Sequence, residues 1–112
     1  MLNQVVLVGR LSRDITINKS NAGNNKVATI CLAVPRSFKN SDGSYDTDFI
    51  ECILFDTVAI NTKEYCKKGD IVGVKGRLQT RKVELDSEKT KQIVEVIAEK
   101  VTFLSSKRQE EE

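Results

Sequence analysis

Residues Gly73–Lys82 read GVKGRLQTRK. Taken two at a time, Val74, Gly76 and Leu78, with Val72 just upstream, share one face, while Lys75, Arg77, Gln79 and Arg81 share the other. Alternation at this period marks a strand with one face buried and one face wet. The wet face carries cations and no acid, and that imbalance asks for a partner of opposite charge.

Working outward, Val5–Leu11 is a run rich in β-branched residues, and a second extended segment follows near Ile15–Asn18. The Asn, Gly and Ser content of Lys19–Lys26 predicts a loop. Val27–Val34 reads as a strand that Pro35 ends, since proline cannot donate into a ladder. Lys39–Thr47 is a polar loop. In Phe49–Phe55 the face Ile50, Cys52, Leu54 is apolar and predicts the core side, leaving Phe49, Glu51, Ile53 and Phe55 outward. From Asp56 or Thr57 to Lys68 the spacing turns helical through Val58, Asn61 or Thr62, and Tyr65, with Lys67, Lys68 and Gly69 at the end. A charged hairpin, Val83–Gln92, separates the opening stretch from strands at Ile93–Ala98 and Val101–Leu104. The pattern predicts an all-β domain with one short helix. It is the order of a five-stranded OB-fold Greek-key barrel with the helix between strands 3 and 4. One domain is expected over residues 1–105, followed by a short, flexible charged tail, 106–112.

Composition bounds what such a domain can do. The chain has 112 residues, 39% apolar and 30% charged, sufficient for a single core. It contains no histidine, so the commonest general base and metal ligand are missing. Cys31, Cys52 and Cys66 form no CxxC pair, and an odd count without a signal peptide predicts reduced thiols in the cytoplasm. The N-terminus has neither a cationic leader nor a membrane-length apolar run, so no membrane association is expected. No nucleophile elbow, Walker-type loop or paired carboxylates are present, and Asp42, Asp46 and Asp48 lack EF-hand spacing. No enzyme activity, metal or cofactor is expected.

The net charge is only +2, yet residues 1–40 carry +5, 41–62 carry −5, 63–82 carry +5 and 83–112 carry −3. Local positive surfaces on a nearly neutral protein are thus expected. Alternate side chains on a strand recur at about 6.6 Å, close to the phosphate spacing of an extended single strand. Lys75, Arg77 and Arg81 can therefore follow a nucleic-acid backbone, although charges on an outer barrel face also serve solubility alone. Outward Phe49 and Phe55, and Phe38 between Arg36 and Lys39, offer ring faces to unpaired bases. The same rings could instead cover a second small core or a subunit interface.

Four segments, NQVVLVGRLSRD, TDFIECILF, KEYCKKGD and VKGRLQTRK, together resemble the bacterial-type single-stranded DNA-binding proteins, in order, over Leu2 to Leu104. The resemblance implies an OB-fold without catalytic activity that coats single-stranded DNA regardless of sequence during replication, recombination and repair. It also implies self-association as a homotetramer, or alternatively a homodimer, for which Ile50 and the first strand are candidates. By position, its stacking aromatics fall on Phe38, Phe49 and Phe55, and its phosphate contacts near Arg10, Lys75, Arg77 and Arg81. Charge and proximity add Arg13, Arg36 and Lys82. Three departures stand out. Val83 replaces a frequent aromatic, phenylalanine replaces tryptophan, and Glu51 sits among the stacking positions. They predict weaker binding than the full set would give. The family's acidic Pro-Phe tip has no counterpart in the terminal RQEEE, so replication and repair proteins recruited through it are not expected. Alternative readings are an RNA-binding or replication-accessory module, or a protein-interaction scaffold.

Overall fold

Strand-forming and turn-forming residues segregate along this chain, and the computed structural model, which describes residues 1–19 and 25–106, follows that division. The strands are β1 (Val5–Leu11), β2 (Ile17–Lys19), β3 (Lys26–Pro35), β4 (Thr47–Phe55), β5 (Ile71–Glu84) and β6 (Thr90–Ser105), with α1 (Asp56–Tyr65) between β4 and β5. The sheet runs β1-β5-β6-β4-β3-β2, and a further β1–β3 pairing closes it into a barrel.

β1 meets β3 at Arg10↔Ala33 and Leu11↔Leu32, while β2 meets it at Ile17↔Ala28, Asn18↔Val27 and Lys19↔Lys26. Since β4 occupies the other edge of β3, β1 and β2 act as one interrupted strand. The five-strand barrel therefore stands, but by chain order the helix follows the fourth strand. The break falls where Ser12 turns inward, its N–H and hydroxyl both donating to the Cys31 carbonyl at 2.9 and 3.1 Å.

The core is built from alternate residues. Leu11, Ile30, Leu32, Leu54, Val72 and Val74 are fully buried, and each such side chain contributes about 1.5–3 kcal/mol on leaving water. Three free cysteines, Cys31, Cys52 and Cys66, are buried as fillers. Burial pushes the Cys52 thiol up to about 11, which keeps it protonated and unreactive.

Two sequence expectations shift. The helix is shorter than the spacing implied, ending at Tyr65; it buries Thr62, as the spacing allowed, and Ala59, with Val58 packed half-buried against the core, while Tyr65 turns outward. Small residues let it approach the barrel closely, while Tyr65 stays 68% exposed. Gly69 does not cap the helix. With φ of 95° it turns the chain at Lys67–Asp70, where the Asp70 carboxylate accepts the Lys67 N–H at 2.8 Å. Asp56, at φ 49°, makes the sharp passage from β4 into α1, a conformation aspartate tolerates better than most residues.

The two final strands are one. β6 runs unbroken from Thr90 to Ser105, and the expected gap at residues 99–100 is a bulge, where Lys75↔Lys100 gives way to Gly76↔Ala98. The hairpin arms reach Glu84 and Thr90, well beyond the barrel wall. Among the described residues no helix is long and apolar enough to cross a membrane. Apart from Ser106, the tail expected at residues 106–112 lies outside the described residues.

Candidate nucleic-acid interface

The outward face of β4 follows from its neighbours. Cys52 and Leu54 are fully buried, so the pleat turns Phe49 and Phe55 outward, 66% and 42% exposed. In the ladder Phe49 stands opposite Ala33, and Ala33 stands opposite Arg10. A ring and a cation thus share one row across three strands, about 10 Å apart at the usual strand spacing, with only a methyl group between them. Phe38 lies in the loop after β3 and is 63% exposed.

A groove of about 570 Å³ separates this face from the projecting β5–β6 hairpin. Phe49, Glu51 and Ile53 form one wall, and Arg81, Ile93 and Glu95 belong to the other. It brings together an aromatic and a cation that are 32 positions apart in sequence. The hairpin is braced where it leaves the barrel: the Asn3 side-chain amide donates to the Leu78 carbonyl at 2.8 Å, and its oxygen accepts the Leu78 N–H at 2.9 Å. This side chain continues the β1 ladder beyond Val5↔Gly76.

The cations differ in how they are held. Arg36 donates twice to Asp48 through Nε, at 3.2 and 3.3 Å, and once through Nη2, at 3.0 Å, with Asp46 at 3.7 Å. Those bonds and charges raise the Arg36 pKa and hold the Asp48 carboxyl below the usual carboxylate range. Arg81 grips Glu95 through two bonds, 3.0 and 3.1 Å. Arg13 meets Glu51 at 3.1 Å, and Arg77 bonds Gln79 at 2.8 Å with Glu99 at 3.9 Å. Arg10 donates to the Gly69 carbonyl at 2.8 Å, which ties it to the turn before β5. Lys75 and Lys82 have no ion pair among the described residues. Lys75 lies beside Lys100 across the ladder, which adds a cation that the sequence pattern did not single out.

What sequence reasoning missed is chiefly these carboxylate partners. Arg81 and Glu95 are 14 residues apart, and only the hairpin register makes them neighbours. Tyr45, 49% exposed with the Lys39 ammonium 6.0 Å from its ring centre, is a further aromatic beside the candidate set. A second groove, about 470 Å³, lies between α1 and β6, with Val58, Tyr65 and Phe103 in its wall. It contains none of the candidate residues. Among the described residues Glu99 and Lys100 are its only charged groups, and their charges offset each other. No cluster of three or more His, Cys, Asp or Glu able to hold a metal occurs among the described residues.

Comparison with known proteins places this geometry. The model of the Single-strand binding protein family matches residues 2–104. Single-stranded DNA-binding protein B of Bacillus subtilis is 44% identical over 110 residues, covering 98% of this chain and 96% of that one. Single-stranded DNA-binding protein 3 of Listeria innocua is 45% identical over 96% of this chain and 67% of its own length. A solved Plasmodium falciparum SSB in complex with ssDNA superposes with a TM-score of 0.77 at 30% identity, covering 94% of this chain and 97% of that one. An outward aromatic and cationic face on a closed β-barrel is thus carried by a chain that belongs to the single-strand binding protein family.

Proposed function

We propose that this protein binds and protects single-stranded DNA without reading its sequence, during replication, recombination and repair, and performs no catalysis. Residues 1–105 constitute the binding domain. The groove that sets Phe49 against Arg81 carries the reading, because an unpaired nucleotide needs a ring for its base and a cation for its phosphate. Paired bases have no free face to offer, so duplex is rejected without any contact to base edges.

The roles follow from position. Phe38, Phe49 and Phe55 stack bases. Lys75 and Lys82, without an ion pair among the described residues, attract the backbone first, and displaced counterions supply the affinity. Arg13, Arg36, Arg77 and Arg81 contribute after exchanging a carboxylate for a phosphate. Arg10 contributes from the row it shares with Phe49. Self-association, as a homotetramer or alternatively a homodimer, uses β1, where Val8, 54% exposed, lies opposite Gly73. Covering such an apolar side chain in a symmetric contact removes it from water. The proposal places the protein in the cytoplasm, on DNA.

The test is a titration of a labelled poly-thymidine strand and a duplex of equal length at two salt concentrations, with mass followed by light scattering. Preference for the single strand, weakened by salt, supports the proposal. Equal affinity for both, or none for either, contradicts it.

A further inference from the structure

Glu51 is the odd member of the candidate face. It lies on the outer side of β4 between Phe49 and Phe55, about 6.6 Å along the strand from Phe49. Any strand whose bases stack on both rings must carry its phosphates past this carboxylate. The fold supplies Glu51 with a partner. Ser12 is fastened to the Cys31 carbonyl by two bonds, 2.9 and 3.1 Å, and Cys31 is the ladder partner of Glu51. The next residue, Arg13, is therefore delivered above Glu51, where its Nη2 reaches Oε2 at 3.1 Å.

The two ion pairs flanking the groove differ in kind. The Glu95 side chain is only 12% exposed and accepts from both Nε and Nη2 of Arg81, so that pair braces the hairpin. In the Arg13–Glu51 pair both side chains are open to water, 53% and 64% exposed, and one bond joins them. Such a pair is weak and exchangeable. A phosphate of single-stranded DNA offers Arg13 the same geometry with the same charge.

We propose that Glu51 is a built-in competitor for the phosphate backbone: by holding Arg13 until a phosphate replaces it, Glu51 sets the affinity of the face for single-stranded DNA. The inference rests on the function proposed above. Only a strand long enough to stack on several rings recovers what the lost pair and the nearby anion cost, so short strands are held less tightly than long ones.

The test measures a labelled thymidine oligonucleotide by fluorescence anisotropy with the parent protein, Glu51→Gln, Arg13→Gln and the double variant. Thermal melting confirms that each is folded. Glu51→Gln is expected to bind about 1.4- to fivefold tighter, the range spanned by one exposed ion pair. In the Arg13→Gln background that gain shrinks, because no cation remains to release. A strand with uncharged methylphosphonate linkages gains nothing from Glu51→Gln. Unchanged or weaker binding by Glu51→Gln, or a gain of equal size with and without Arg13, overturns the inference while leaving the binding function standing. Failure of the parent protein to bind the thymidine strand overturns both.

Discussion

Replacing Phe49 by alanine isolates the stacking contribution better than any other single change. The ring is 66% exposed and faces away from the core, so its loss opens no internal cavity. Its ladder partner is Ala33, whose small side chain gives the ring little support. Stacking of one base on one ring contributes about 1–3 kcal/mol, which corresponds to roughly 5- to 150-fold in dissociation constant. Thermal melting should remain close to that of the parent, since an exposed substitution away from caps and cavities changes stability by about 0.5 kcal/mol or less. Anisotropy titrations with labelled thymidine oligonucleotides at fixed salt measure the first quantity, and calorimetry the second. The slope of log affinity against log salt should not move, because no charge is removed. Affinity within twofold of the parent would refute the assignment of Phe49 as a stacking platform. A large loss of stability would show that the ring is structural.

Other consequences concern charge and packing. Lys75→Ala is expected to flatten the salt slope by about 0.7, the share of one phosphate contact on a single strand, and Arg81→Ala by less, since Glu95 already holds that guanidinium; equal slopes for both variants would contradict this ranking. A Cβ added at Gly76 runs into the Ile97 carbonyl oxygen, with the Ala98 Cα at 3.1 Å. Gly76→Ala should therefore lose about 1–3 kcal/mol of unfolding free energy, and an unchanged denaturant midpoint would remove the close β5–β6 approach from the account. Because Arg36 depresses the Asp48 carboxyl below its ordinary 3.8, the stability from this pair is fully present above that value and lost as pH falls through the depressed one. Following Asp48 by NMR checks this: Arg36→Gln should return it to the ordinary range, and a parent titration at or above 3.8 would show the pair is not formed.

How much of this was legible in the residues depends on how local each feature is. Period-two alternation identified the buried side of β4 and the cationic side of β5 because a strand's two faces are decided within a few residues. The rings at Phe49 and Phe55 were legible as outward for the same reason. The bulge at residues 99–100 registered only as a gap between two strands, since Glu99 and Lys100 interrupt the apolar pattern without revealing that the ladder continues. On the helix, Val58 and Thr62 were legible as inward, but Ala59 was missed because a single methyl carries little hydrophobic signal, and Tyr65, read as inward, is exposed. The pairing of cations with carboxylates was not legible at all. Arg13 and Glu51 are 38 residues apart, and only the closing of the barrel brings them to 3.1 Å. Thus the sequence marks which residues bear charge, while the register decides how freely each one meets a phosphate.

The central claim is that rings and cations on the β3–β4 face and its groove engage one strand together. Photo-crosslinking of a thymidine oligonucleotide, followed by mass spectrometry of the attached peptides, tests it most directly. The account predicts attachment on peptides holding Phe38, Phe49 and Phe55, suppressed by rising salt. Attachment confined to the α1–β6 groove, at Tyr65 or Phe103, would contradict it.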